Sequence, residues 1–158
     1  MSEEFEKGFS AGLEAGIGLL SKRERSEQQI RQELGRSGFG EGIVDAVVER
    51  LRERRLVDDV RFAESVVRGR SAKGVGLDRI REELSRLGIA EPTIEGATIE
   101  IAANQSELAA GALRIRLRKS RSSSRLSAWR FLVSRGFSEE ESERAVSLVF
   151  GATDPFTE

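Results

Sequence analysis

Between Arg114 and Arg135 the chain carries eight basic residues and no acid. Arg114, Arg116, Arg118, Lys119, Arg121 and Arg125 form the densest part of this run, interleaved with Ser120, Ser122, Ser123 and Ser124. Guanidinium and ammonium groups beside hydroxyl donors suit contacts to phosphate, which supply affinity without reading base sequence. The competing reading is a solvated face with cations placed favourably at a helix C-terminus. The lack of any neutralising acid within the run favours phosphate contact. Trp129, the single tryptophan, lies inside the run on an apolar face with Leu126 and Val133 at i, i+3 and i+7. That face either covers the terminal helices or offers an aromatic anchor for a partner or a base. A second set of cations, Arg61, Arg68, Arg70 and Lys73, follows Arg52, Arg54 and Arg55. They are candidates for partner or nucleic-acid contact, against local pairing with Asp58, Asp59 or Glu64. The Asp58-Asp59 pair itself reads as a helix cap.

Other chemistry is constrained by what is missing. The chain has no histidine and no cysteine. The usual general base, thiol nucleophile and zinc ligands are therefore absent, and a Ser-His-Asp arrangement cannot be assembled. Carboxylates are abundant but none is singled out by its setting. The expectation is a protein with no catalytic residues, no metal and no cofactor. The formal net charge of −1 hides blocks of opposite sign. Glu91 to Glu107 holds four acids and no base, and from Ser138 onward six acids stand against Arg144 alone. No apolar run is long enough for a membrane span, and the acidic start lacks a secretory pattern, so a cytoplasmic protein is expected.

These residues need a scaffold, and the sequence supplies one by repetition. At 38% hydrophobic and 34% charged, the chain is too apolar and too periodic to be disordered. Gly38, Gly88 and Gly136 anchor a threefold match. Eight residues before them stand Ile30, Ile80 and Ala128; four before, Leu34, Leu84 and Leu132. Phe39, Ile89 and Phe137 follow directly, and apolar positions return nine, ten and thirteen residues on, with Thr98 the polar member. The spacing predicts a helix, a glycine turn needing positive φ, and a second helix. Ser26, Gly76 and Ser124 stand where each first helix needs an N-cap. Ser26 with Gln29, and Ser138 with Glu141, predict capping boxes. A further amphipathic helix precedes each pair, over about 5–20, 60–72 and 105–118. In the first, Gly8, Gly12, Gly16 and Gly18 each carry a cost in helix propensity, and the sequence leaves two readings open, close helix approach through the small residues four apart or fraying of the helix. The expected fold is all-α, a tandem array of three three-helix repeats over 1–52, 53–102 and 103–150, elongated and curved, with an acidic tail at 151–158. Truncating Leu34, Leu84 or Leu132 to alanine is expected to cost about 2–5 kcal/mol in urea unfolding.

The stretch LVDDVRFAESVVRGRSAKGVG from Leu56, followed by LDRIREELSRLGI, resembles the RecX family of recombination regulators. The resemblance is carried by Leu56, Asp58, Asp59, Arg61, Phe62, Ala63, Val67, Arg68, Arg70, Lys73 and Gly74. Ile80, Arg81, Glu83, Leu84, Gly88 and Ile89 complete it. It is specific from about residue 19 to 89 and looser to about 150. It implies a three-helix-repeat fold without catalysis, binding to the RecA recombinase filament, and contact with single-stranded DNA directly or within that filament. Suppressed filament growth, ATPase, strand exchange and co-protease activity are the implied consequences, in DNA recombination, repair and the SOS response. A stand-alone helical DNA-binding protein is the alternative. A monomer is expected. The third copy departs from the pattern, with Glu141 and Ser142 where the first has Ile43 and Val44.

Overall fold

The computed structural model describes residues 2–120 and 123–151 and holds nine helices and no strand among them. They are α1 (Glu3–Lys22), α2 (Glu27–Arg36), α3 (Glu41–Glu53), α4 (Asp59–Ala72), α5 (Leu77–Arg86), α6 (Glu91–Ala102), α7 (Gln105–Lys119), α8 (Arg125–Ser134) and α9 (Glu139–Phe150). Helices α2, α5 and α8 are each ten residues long and end two residues before Gly38, Gly88 and Gly136. All three glycines have positive φ, at 94°, 80° and 100°. Behind the first and third, the amides of Phe39 and Phe137 donate back to the carbonyls of Leu34 and Leu132, closing the turn. Both capping boxes form, Ser26 with Gln29 and Ser138 with Glu141.

The chain divides into two compact units, Met1–Ala63 with Ser85–Thr93, and Glu64–Leu84 with Ile94–Glu158. The segment 53–102 is thus shared between them. In the first unit Ile30, Leu34, Val44, Val47, Val48, Leu51 and Val57 form the core. Helix α1 lies along α3. A Cβ at Gly12 would come within 3.0 Å of Val47, and one at Gly16 within 3.1 Å of Leu51. The glycines therefore permit close packing, and their propensity cost is offset by burial against α3.

Two N-termini in the first unit are closed by the Asp pair. Asp58 Oδ1 accepts from the Val60 and Arg61 amides at the start of α4. Asp59 Oδ1 reaches across to the Glu27 amide at 2.9 Å, capping α2. Ser26 Oγ also donates to the Leu87 carbonyl at 2.7 Å. Beside this cap, Arg52 makes a two-bond fork with Glu27 at 2.7 and 2.8 Å. The guanidinium holds the Glu27 carboxyl below the usual carboxylate range, while burial pushes Asp59 up. The signs oppose. Glu27 contributes stability that is present above its unfolded value and lost as pH falls through its lowered one. Asp59 favours the fold when protonated, and that contribution is lost as pH rises through its raised value. Glu27→Gln is expected to flatten the acid limb of the stability curve below about pH 4.5. Asp59→Asn, which keeps an acceptor, is expected to hold or raise stability at pH 7; denaturant titrations at pH 3–7 check both.

In the second unit Ala109, Ala110, Leu113, Ala128, Leu132, Phe137, Ala145 and Val146 form the core, where α7 and α8 both pack on α9. Helix α5 begins after Gly76, which has no side chain to cap it. Its free amides are satisfied from elsewhere. Gly76 N donates to the Arg135 carbonyl at 2.8 Å and Asp78 N to the Gly136 carbonyl at 3.2 Å. Leu77 N donates to Oε1 of the buried Gln105 at 2.9 Å. Gln105 thus does for α5 what Asp59 does for α2. One defect marks the departing third copy: the Ser142 hydroxyl is buried without a partner where the first copy has Val44. Ser142→Val is expected to raise unfolding stability by about 1 kcal/mol, since it removes an unpaired buried oxygen.

Candidate functional site

Residues 112, 115, 116 and 119 of α7 recur at helical spacing, so Ala112, Ile115, Arg116 and Lys119 share one face. That face forms one wall of an open groove of about 660 Å³ in the second unit. Ala72, Lys73 and Gly74 from the end of α4 form another side, and Phe131 with Arg135 complete it. Gly74 has φ 75°, and a Cβ there would stand 2.9 Å from that of Ala112, so only glycine brings this turn so close to α7.

Arg135 fastens the turn in place. Its Nη2 donates to the Lys73 carbonyl at 2.7 Å and its Nε to the Gly74 carbonyl at 3.3 Å. The Arg116 guanidinium lies 4.3 Å from the Phe131 ring centroid, making a flat cationic and aromatic shelf. Lys73, Lys119 and Ser120 are exposed at the edge. No lining residue is acidic. A concave surface lined by one sign of charge concentrates its field and attracts polyanions. Spaced cations around a stacking shelf suit a phosphodiester chain with an unpaired base.

Of the cations picked from sequence, the groove unites Lys73, Arg116 and Lys119. Arg114 and Arg118 are exposed on α7 outside the lining, and Arg121 lies outside the described residues, as does the acidic tail beyond Gly151. Arg70 makes a two-bond fork with Glu83 at 2.8 and 2.7 Å. Arg68 is exposed beside Glu64, Ile99 and Glu100 in a separate cleft. In the first unit Arg61 pairs with Glu24 at 2.8 Å. Arg125 closes α9, donating to the Phe150 and Gly151 carbonyls at 2.9 and 3.0 Å. Trp129 is half-buried against the second core, and its indole N–H donates to the Glu139 carbonyl at 3.3 Å. Both side chains therefore have packing roles. Arg135 and Phe131 were not singled out by sequence. Arg135 ends the acid-free run and Phe131 lies within it, but only folding brings them beside Lys73. Among the described residues no group of His, Cys, Asp or Glu is placed to hold a metal ion, and no helix is long and apolar enough to cross a membrane.

Two family models match, the first three-helix domain of RecX over residues 13–51 and the second over 58–97. The regulatory protein RecX of Mannheimia succiniciproducens is 32% identical over 130 residues, 79% of this chain and 85% of that protein. That of Geobacillus thermodenitrificans is 33% identical over 141 residues, covering 84% of this chain and 52% of its own greater length. Several of these relatives are thus spanned over only about half their length. Among solved structures, RecX from Lactobacillus salivarius superposes with a TM-score of 0.80 at 22% identity, over 92% of this chain and 98% of that one, a likeness of fold. A second, titled regulatory protein RecX, gives 0.74 at 25% identity over 90% and 76%. By the paired domain matches and the length shared with such relatives, this chain belongs to the RecX family of regulatory proteins.

Proposed function

We propose that the protein regulates RecA recombinase by seating on the RecA–DNA filament, with the basic groove of the second unit against the DNA backbone. The observation that carries this reading is the acid-free lining that sets Lys73, Arg116, Lys119 and Arg135 around the Phe131 shelf. Family membership supports the recombinase as partner, and the groove supplies a means of holding DNA within it. Phosphate contacts give affinity without sequence preference, as a filament-binding protein needs. The protein acts by binding, with no catalysis and no cofactor of its own. Occupying the filament blocks its growth and suppresses ATPase, strand exchange and co-protease activity. In this reading the helices form three repeats, and a cytoplasmic monomer is the acting species.

The test is the ATPase of RecA on single-stranded DNA with increasing amounts of this protein. The expected result is progressive inhibition. A rate unchanged by a molar excess would count against the reading. Binding to bare single-stranded DNA that is as tight as binding to the filament would favour the stand-alone DNA-binding alternative instead.

A further inference from the structure

Helix α3 closes with a left-handed residue, as several others do, but here the residue is Arg55, with φ 55°. It is the one non-glycine residue of positive φ among the described residues; the other five are Gly38, Gly74, Gly88, Gly136 and Gly151. The turn is well formed, with Arg55 N donating to the Arg52 carbonyl at 2.9 Å and Leu56 N to the Leu51 carbonyl at 2.9 Å. Glycine would hold this backbone with less strain. The fold makes no use of the guanidinium. No carboxylate among the described residues pairs with it. Its carbonyl does accept from Arg61 Nη1 at 3.3 Å, which a glycine carbonyl would do equally well.

Arg55 lines an open cleft of about 380 Å³ within the first unit, together with Ile17, Leu20, Glu24, Leu56 and Arg61. Ile17 and Leu56 are each 40% exposed, two of the six large apolar side chains that the described residues leave in water. Val60, next to Arg61 in the chain, is a third at 52%. Adjacent exposed aliphatic groups rimmed by charge mark an interaction surface. Its charge is legible too. Arg61 is matched by Glu24 at 2.8 Å, and Asp58 and Asp59 are engaged as caps, so Arg55 is the uncompensated charge. Arg54, Lys22 and Arg23 are exposed close by in sequence.

We infer that this cleft is a docking site for an acidic protein segment carrying one aliphatic or aromatic side chain. The apolar residue enters between Ile17 and Leu56, and a flanking carboxylate pairs with Arg55. A nucleic acid is disfavoured, because the apolar part of the cleft is aliphatic and none of its lining residues offers a ring for stacking. This surface is separate from the basic groove and does not depend on the groove's role.

The test uses the full chain and a fluorescein-labelled ten-residue peptide of Glu and Asp around one central leucine. Controls are the same peptide with a central serine and a ten-nucleotide oligo-dT. The leucine peptide is expected to bind, and the serine peptide to bind more weakly. Arg55→Gly is expected to weaken the leucine peptide about tenfold, the size of one charge-assisted contact. The same variant is expected to melt at or above the parent temperature, because glycine relieves the strained φ. Ile17→Ser, at an exposed helix position, is expected to weaken the leucine peptide with little change in melting. Failure of the leucine peptide to bind, or unchanged affinity in Arg55→Gly, would overturn the proposal. So would a clear drop in the melting temperature of Arg55→Gly, since the guanidinium would then serve the fold. Oligo-dT binding that falls in Arg55→Gly would reassign the cleft to nucleic acid. Neither recombinase nor filament is present, so each outcome leaves the RecA reading where it stood.

Discussion

Gly76→Ala is expected to lower the unfolding free energy by about 2–4 kcal/mol, a large effect for the addition of one methyl group. The reason lies in what the methyl meets. A Cβ at position 76 would stand 2.3 Å from the Gly136 carbonyl carbon, 2.4 Å from its oxygen and 2.4 Å from the Phe137 amide nitrogen. All three are backbone atoms, so no rotamer change relieves the clash. The start of α5 and the turn between α8 and α9 must separate. Separation then strands the Gly76 and Asp78 amides, which now donate to the Arg135 and Gly136 carbonyls. It also strains the Leu77 bond to Gln105. Overpacking and orphaned donors therefore act together. Urea unfolding at constant m-value measures the loss. Gly35→Ala is the control, since nothing lies within 4 Å of a Cβ there and helix propensity alone favours a gain. A loss below about 0.5 kcal/mol in Gly76→Ala would show that the turn moves aside freely.

The second large effect concerns the groove. Replacing Lys73, Arg116 and Lys119 together by alanine is expected to weaken DNA-dependent binding about ten- to a hundred-fold at moderate salt. Each lost phosphate contact should also lower the slope of log affinity against log salt by about one. The slope is the sharper readout, because a folding defect reduces the active fraction and leaves the slope unchanged. The three side chains are exposed or half-exposed and pair with no carboxylate among the described residues, so the variant should melt near the parent. An unchanged slope would remove the groove from DNA contact. Arg135→Ala is not equivalent. It releases the bonds to the Lys73 and Gly74 carbonyls and is expected to alter groove shape as well as charge.

Much of the scaffold is legible in the sequence. Leu34, Leu84 and Leu132 recur at one register and are all buried. The three turn glycines share the conformation that their register demanded. Ser26 and Ser138 sit in the capping boxes anticipated from Gln29 and Glu141. These features are local. They depend on helical period and on the backbone demands of a turn, and both operate over a few residues. The candidate site was only half legible for the same reason. An acid-free run is visible as composition, but which of its members face a common groove depends on segments far apart in sequence. Arg125 and Trp129 were attractive by type, and their polar groups are engaged by the Phe150, Gly151 and Glu139 carbonyls.

What the sequence determined by itself, then, is the helices, their turns, the missing catalytic residue types and the blocks of charge. Each follows from residue type and spacing. Tertiary structure alone decided which charges stand together, since Lys73 and Arg135 are 62 residues apart and meet through one bond. It also decided who caps α5, because a glycine N-cap leaves amides that only distant groups can satisfy. The acid-free run from Arg114 to Arg135 remains the most informative stretch of the chain. Folding converts it from a string of cations into one wall of a groove, a fastening for a turn and a cap for a helix.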